Sequence, residues 1–351
     1  MTVATMLLAA GHGTRMNSKT QKVLHAAGGQ PMIVHVFQAA GEVSDLKPVL
    51  VVGAGEDGVR RLLGERATYV IQEERLGTGH ATLMAEPVLR GRADQVIVTY
   101  GDMPLLRANS LAMLASRQRE SGAAAVLLSF DGNPGSSFGR VIRAADGTVR
   151  EIVEVAEARQ REDSAALLAV RELNAGVYCF DGPWLWENLP ELPLRQARDG
   201  EEYYLTDMVG LAVSQGRRVE AVVGDDPDEF LGAGTRAELV AVEQAFRRRA
   251  NRHWLEAGVT LVDPNTTFID QDVFIGQDTV IWPNSYIQAG SRVGNDCVIG
   301  PNTILRNARV GDGCYLEQVV VEDSEIAAGA RIAPCTHLQG NHPAANEEAS
   351  S

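Results

Sequence analysis

The sequence predicts an α/β domain built on a mostly parallel sheet, followed by a short parallel β-helix. Three observations lead there. Short apolar runs rich in β-branched residues alternate with helical stretches over roughly the first 230 residues. A glycine loop follows directly on the first run. Beyond residue 258, aliphatic residues recur every six positions.

The strand candidates are Val3–Ala9, Pro48–Val52, Val96–Tyr100, Ala123–Phe130 and Ala175–Phe180. Their continuous apolar character suits strands covered on both faces by helices. In such sheets ligands bind at the carboxyl ends of the strands. The loop Gly11-His12-Gly13-Thr14-Arg15 follows the first strand, and Asp102 follows Val96–Tyr100, so both face one crevice. Thr235 and Glu238 are spaced as a capping box and start a helix to about Ala257, with Leu239, Val242, Phe246 and Ala250 on one face. Ile269, Ile275, Ile281, Ile287, Val293, Ile299 and Leu305 then keep a strict period of six. A small residue often stands four places on: Val273, Thr279, Ser285, Ser291, Cys297 and Thr303. The phase slips by one residue and continues through Val310, Leu316, Ile326 and Ile332. Period six cannot keep one face of a 3.6-residue helix, but it does line the inside of stacked β-coils. The expected organisation is therefore a first domain over 1–232, a connecting helix over 233–258, the β-helix over 259–340, and a disordered tail over 341–351.

Composition bounds the function. The chain has 351 residues, 45% hydrophobic and 22% charged, as expected of a globular protein with more than one core. Its four cysteines are scattered without a C-x-x-C pair, which argues against structural zinc and a disulfide framework. The N-terminal apolar run is short and lacks a basic flank, which reads against a signal peptide. No apolar stretch has the length of a membrane span. A cytoplasmic location without membrane association is expected. A net charge of −14 disfavours nucleic acid as a partner, and the one dense basic cluster, Arg247-Arg248-Arg249 with Arg252, lacks interleaved aromatics. Against that acidic background, residues 1–41 hold Arg15, Lys19 and Lys22 and no Asp or Glu. A glycine loop cleared of acid is suited to an anion, because successive backbone N–H groups form a concave anion site.

Two familiar phosphate loops are excluded. A P-loop needs Gly-Lys-Ser/Thr after its first glycine, which is absent here. A dinucleotide fingerprint needs a third glycine where Met16 stands, and an acid about 20 residues on, whereas the first acid is Glu42.

The string Leu8-Ala9-Ala10-Gly11-His12-Gly13-Thr14-Arg15-Met16, with Lys22, resembles the signature of sugar-1-phosphate nucleotidyltransferases. Later segments narrow the resemblance to bacterial N-acetylglucosamine-1-phosphate uridyltransferases of the GlmU type. They are Gln72 with Leu76-Gly77-Thr78-Gly79-His80-Ala81, Tyr100-Gly101-Asp102-Met103-Pro104-Leu105, Phe138-Gly139-Arg140, Ile152-Val153-Glu154, Leu173-Asn174-Ala175-Gly176, and Glu202-Tyr203-Tyr204-Leu205-Thr206-Asp207. All stand in the family's order. The resemblance implies a Rossmann-like (GT-A-like) nucleotidyltransferase fold followed by a left-handed β-helix. It implies the reaction of UTP with N-acetylglucosamine 1-phosphate to give UDP-N-acetylglucosamine and pyrophosphate, with Mg²⁺ as cofactor, in cell-wall precursor biosynthesis. It also implies a homotrimer.

Residue by residue, the resemblance assigns Arg15 and Lys22 to the phosphates as the catalytic pair. Leu8, Ala9, Ala10, Gly11, Gln72, Gly77 and Thr78 would bind the nucleotide. Tyr100, Gly139, Glu154, Asn174, Tyr204 and Thr206 would bind the sugar, and Asp102 the metal. The chemistry is consistent: a sugar phosphate is already an anionic nucleophile, so positioning and charge neutralisation suffice without a general base. Two departures stand out. The match to the family's hexapeptide domain stops at about Leu338, with Gln339 in place of an expected arginine, so no acetyltransferase activity is expected of this chain. Gly234 occupies the place of the family's asparagine metal ligand. Two other readings stay open: another sugar-1-phosphate nucleotidyltransferase, such as a glucose-1-phosphate thymidylyltransferase, or a non-catalytic sugar-nucleotide sensor or assembly subunit.

Overall fold

The computed structural model describes residues 1–55, 57–197, 200–288 and 290–340. The expected tail over 341–351 lies outside them. The chain forms two compact units. One comprises Met1–His25 and Pro31–Leu239; the other comprises Ala26–Gln30 and the chain from Val240 onward. Among the described residues no helix is long and apolar enough to cross a membrane.

The first unit is organised on one sheet. Its strands are β1 (Val3–Leu8), β2 (Val49–Gly53), β3 (Thr68–Gln72), β4 (Gln95–Tyr100), β5 (Ala125–Asp131), β6 (Arg140–Arg143), β7 (Val149–Val153), β8 (Glu172–Asp181) and β9 (Val219–Gly224). The main path runs β9-β5-β8-β4-β1-β2-β3, with β6 and β7 branching from β8. The pairs β1–β2, β1–β4, β2–β3 and β9–β5 are parallel. β8 is antiparallel to both β4 and β5. The main path is thus parallel apart from one reversed strand, β8, in its middle, and the β6–β7 branch is antiparallel.

Alternation along β1 explains the two cores. Met6 and Leu8 face one apolar layer with Val49, Val98, Tyr178 and Trp186. Leu7 and Ala9 face the other, with Ile33, Leu50, Ile97 and Leu114. A side-chain period of two requires this when both faces are covered. The helices α1 (Met32–Val43), α2 (Gly77–Leu83), α3 (Ala108–Ser121) and α4 (Asp207–Ser214) belong to this unit. In α1 the buried residues Met32, Ile33, Val36, Phe37 and Ala40 keep the i, i+3, i+4 spacing of one helical face.

Helix α5 runs Arg236–Glu256. Thr235 caps it, its hydroxyl accepting from the Glu238 N–H at 3.2 Å. The returning carboxylate, Glu238 Oε2, accepts from Gly234 N at 2.8 Å, one residue earlier than in a standard capping box. Of the expected apolar face, Val242 and Phe246 are buried, with Ala245 and Trp254 beside them, while Leu239 and Ala250 are half-buried.

The second unit is a parallel β-helix, with strands stacking into three ladders among the described residues. The pairs Ile269–Ile287 and Ile287–Leu305 lie one coil apart. Corner contacts show the coil shortening from 18 residues (Gln277 to Asn295) to 17 (Asn295 to Asp312) and 16 (Asn307 to Asp323). The one-residue phase slip is the first of these steps. The aliphatic ladder is buried from Ile269 to Ile326 and half-buried at Ile332, and the small residues Thr279, Ser285, Ser291, Cys297 and Thr303 are fully enclosed. Their hydroxyls return to carbonyls, as in Thr279 Oγ1 to Gly294 O at 2.8 Å, so small polar groups sit inside without loss.

One short segment departs from the expected 1–232 domain. Ala26–Gln30 belongs to the second unit, where Gly28 N donates to Glu243 Oε2 at 2.8 Å. Gly28 has φ +56, and a Cβ there would meet the Phe246 ring at 2.8 Å. Sequence spacing carries no sign of a partner this distant.

Candidate active site

The loop Ala9–Met16 leaves the sheet at the end of β1. Ala9 N still bonds to Val51 O at 2.8 Å, and Gly11 and His12, which follow the buried Ala10, are exposed. Gly13 takes φ +64, and Thr14–Met16 form a single 3₁₀ turn. The Ala9 and Ala10 carbonyls accept from side chains: Gln21 Nε2 at 3.0 Å and Arg75 Nε at 2.7 Å.

Lys22 lies on a short 3₁₀ turn, and Asp102 just beyond the end of β4. Eighty residues apart in sequence, they meet with Nζ 2.6 Å from Asp102 Oδ2, both partly shielded from solvent. Arg15 is exposed and its guanidinium turns to Gly234: a Cβ at that glycine would lie 2.6 Å from Arg15 Nη2. Gly234 is buried, so the space it leaves is filled by the cation.

Gln72 ends β3 and is buried. Its Nε2 donates to Gly77 O at 3.1 Å and lies 3.1 Å from His80 Nδ1, so the amide nitrogen is engaged within its own segment and the amide oxygen is the acceptor end. Gly77 opens α2 at φ +90; a Cβ there would strike Tyr203 O at 2.6 Å, so only glycine allows the approach. Tyr203 N donates to Leu76 O at 2.8 Å, and Leu205 N donates to Thr78 Oγ1 at 3.0 Å. The Gly77-Thr78 and Tyr203-to-Thr206 segments are therefore one hydrogen-bonded piece.

Tyr100 stands at the end of β4, its hydroxyl bonded to Thr78. Desolvation, then the negative charges of Glu154 and Asp102, push its phenol well above the usual range. Glu154 directly precedes the short helix after β7, without a side-chain capping bond to it. Burial first, then the carboxylates of Glu157 and Asp207, raise its pKa, against a smaller opposing pull from Arg140. Gly139 faces it: a Cβ there would lie 3.1 Å from Glu154 Oε1. Asn174 is buried, with Nδ2 donating to Tyr178 Oη at 2.7 Å and Oδ1 accepting from Gly176 N at 3.0 Å. Tyr204 is half-buried near Glu154, which raises its phenol after desolvation and Glu202. Thr206 is the residue before α4.

The structure thus gathers Lys22 with Asp102, and Tyr100 with Thr78, Glu154 and Tyr204, while Arg15 lies beside Gly234. Sequence reasoning gave no role to Arg75, although a cation directly before Leu76-Gly77-Thr78 was a visible signal. It gave none to Arg140, which is fully buried and donates to the Ser136, Phe138 and Pro134 carbonyls, holding the loop before Gly139.

Residues 5–175 match the MobA-like NTP transferase domain, and residues 272–307 match the bacterial transferase hexapeptide in six repeats. The bifunctional protein GlmU of Exiguobacterium sibiricum is 38% identical over 334 residues, covering 95% of this chain and 73% of that protein. The chain belongs to the GlmU family. The GlmU proteins of Halalkalibacterium halodurans and Brevibacillus brevis are similar at 38% and 39% identity, over 95% and 96% of this chain and 72% of each of theirs. A solved structure assigned to a glucose-1-phosphate thymidylyltransferase of Bacillus anthracis, with a sucrose bound, superposes at TM-score 0.55 and 18% identity, covering 70% of this chain and 95% of that one. That likeness concerns the fold alone. As a GlmU homologue the chain is a nucleotidyltransferase of the sugar-1-phosphate class.

The GlmU family implies a divalent metal, and the donor set can be tested for it. Among the described residues there is no group of three or more His, Cys, Asp or Glu fit to enclose an ion. Asp102 offers one carboxylate, and Gly232 leaves room beside it, since a Cβ there would lie 3.7 Å from Oδ2. One carboxylate fits an ion such as Mg²⁺ that is held mainly by substrate phosphates and water.

Proposed function

We propose that this chain catalyses uridylyl transfer from UTP to N-acetylglucosamine 1-phosphate, giving UDP-N-acetylglucosamine and pyrophosphate. The observation that carries the reading is the meeting of Lys22 and Asp102 at 2.6 Å, at the carboxyl end of the sheet beside the glycine loop. A cation and a metal-competent carboxylate then stand side by side in a GlmU-family chain. In this reading the loop Leu8–Gly11 and the Gln72 amide oxygen receive the nucleotide, with Gly77 and Thr78 framing the base. Uracil offers both an N–H and carbonyls, which an amide and backbone groups can satisfy. Tyr100, Gly139, Glu154, Asn174, Tyr204 and Thr206 line the sugar side. A divalent ion bound with the nucleotide would be held by Asp102 and would neutralise phosphate charge.

The sugar phosphate attacks the α-phosphorus without losing a proton to the protein. The protein's task is to align the two anions and to stabilise charge on the departing pyrophosphate. Lys22 and Arg15 supply that stabilisation. The proposal covers uridylyl transfer and includes no acetyl transfer.

The test is a pyrophosphate-release assay on the purified chain over a matrix of nucleoside triphosphates and sugar 1-phosphates. UTP with N-acetylglucosamine 1-phosphate should give the highest kcat/KM. Preference for dTTP with glucose 1-phosphate would replace the reading with a thymidylyltransferase. Folded protein with no turnover on any pair would replace it with a sensor.

A further inference from the structure

We propose that Arg75, seconded by Gln21, is a positioning residue that fixes the direction of the backbone N–H groups in the nucleotide loop. The proposal rests on the uridylyl-transfer reading above and adds residues to which that reading gives no role.

Ala9 and Ala10 are 2% and 5% exposed, and beyond the Ala9 N–H the strand ladder has ended. Their carbonyls therefore need donors from elsewhere. Gln21 Nε2 reaches the Ala9 carbonyl at 3.0 Å and Arg75 Nε reaches the Ala10 carbonyl at 2.7 Å. A peptide unit is planar, with its C=O and N–H pointing in opposite directions. Holding the Ala9 carbonyl thus aims the Ala10 N–H, and holding the Ala10 carbonyl aims the Gly11 N–H.

Sterics do not do this job at Gly11. A Cβ placed there would have nothing within 4 Å, so no packing at the Gly11 Cβ position opposes rotation of the peptide plane between residues 10 and 11. Glycine tolerates both senses of that rotation. The orientation is left to the hydrogen bond from Arg75.

The two donors also come from informative places. Gln21 directly precedes Lys22. Arg75 lies between Gln72, at the end of β3, and Gly77, at the start of α2. One clip ties the loop to the phosphate lysine, and the other ties it to the base-reading segment. A nucleotide that meets all three segments then finds them already in mutual register, which is preorganisation of binding groups. Arg75 donates here through Nε, an atom a lysine lacks, so the two residues are not equivalent at this position.

The experiment uses the full chain and three variants, Arg75→Ala, Arg75→Lys and Gln21→Ala. UTP binding is measured by calorimetry, and both directions of the reaction by steady-state kinetics. Losing one charge-assisted hydrogen bond that orders a binding loop should weaken UTP binding about tenfold. The KM for UTP and for UDP-N-acetylglucosamine should rise with it. The KM for N-acetylglucosamine 1-phosphate and for pyrophosphate should stay within about twofold, and Arg75→Lys should recover part of the loss by donating from its ammonium. Gln21→Ala repeats the test at the neighbouring carbonyl should Arg75→Ala fold poorly.

Three results would overturn the proposal. One is unchanged UTP affinity in Arg75→Ala and Gln21→Ala. Another is an equal rise in all four KM values, the mark of a general lesion. The third is a raised KM for pyrophosphate, which would make Arg75 a direct phosphate ligand. If the wild-type chain itself binds no UTP, the functional reading fails and this inference with it. If wild type binds UTP and the variants match it, only this inference fails.

Discussion

Gly176 lies in the Asn174–Tyr178 irregularity of β8, where the register to β5 shifts. It takes φ +77, and a Cβ there would sit 2.5 Å from Tyr100 Cε2 and 3.2 Å from Cδ2. Substituting Gly176→Ala therefore carries two costs. The left-handed backbone costs roughly 1–2 kcal/mol for a residue with a Cβ. The ring must also retreat by about 1 Å to restore ordinary contact, and forced repacking of this kind costs about 1–3 kcal/mol. Together the loss is roughly 2–5 kcal/mol, or about 4–20 °C in Tm for a unit of 150–250 residues. Gly147→Ala is the control. It also has a positive φ, +85, but open space around its Cβ position. It suffers the backbone cost alone, partly offset by the stiffer unfolded chain, for a net of roughly 0–1.5 kcal/mol. Differential scanning calorimetry of the two variants measures the steric share directly. Because Tyr100 is only partly buried, its ring has some room to move, and it belongs to the proposed sugar-binding set. Gly176→Ala should therefore also raise the KM for the sugar phosphate, while Gly147→Ala should not. Equal Tm losses in the two variants would refute the argument, since they would show that the Tyr100 ring yields without resistance.

Other outcomes follow from the same geometry. Lys22→Ala and Arg15→Ala should each lower kcat by about 10²–10³, the cost of one positioned charge-stabilising group, with little change in Tm; near-wild-type turnover in both would place the phosphates elsewhere. Glu154 has a raised pKa in the folded state, so that state holds its proton at pH values where the unfolded chain has lost it. The sign follows: stability from this group is present below the ordinary glutamate range and declines as pH rises through the folded pKa. Glu154→Gln should accordingly be the more stable protein at neutral pH, with its advantage vanishing toward pH 4. Denaturation midpoints across that range check it, and a constant difference would exclude ionisation as the cause. Light scattering should return about three times the 37.8 kDa chain mass at micromolar concentration, and a stable monomer would reject the trimer expectation.

What could be read from sequence, and what could not, divides by range. The hexapeptide ladder is local and repetitive, so each period-six aliphatic from Ile269 to Leu305 appeared in order and is buried. The glycine loop and Asp102 could be placed together because both end apolar strands. The reversal of β8 could not: Ala175–Phe180 reads the same whether its neighbours run with it or against it, since an apolar run carries no direction. The edge strand Val219–Gly224 and the short pair Arg140–Arg143 and Val149–Val153 escaped because they are only half-buried and lack a continuous apolar run. In the site, residue types were legible but bonds were not. Thr78 and Leu205, or Arg75 and Ala10, are joined across 127 and 65 residues by single hydrogen bonds that leave no periodic trace.

Five residues taken from one unit by the other change how this protein can be made. The chain passes between its two units three times, after His25, after Gln30 and after Leu239. During synthesis the ribosome delivers Ala26–Gln30 early, yet the Glu243 carboxylate that receives the Gly28 N–H arrives 215 residues later. The first unit must therefore close its sheet around a gap in its own chain, left open between Lys22 and α1. No single cut separates the units cleanly. A fragment ending at Leu239 would carry an orphaned Gly28 N–H four residues from His25's neighbour Leu24 and six from Lys22. A laboratory fragment of the first unit would then be impaired at the segment next to Lys22, even with every proposed site residue present.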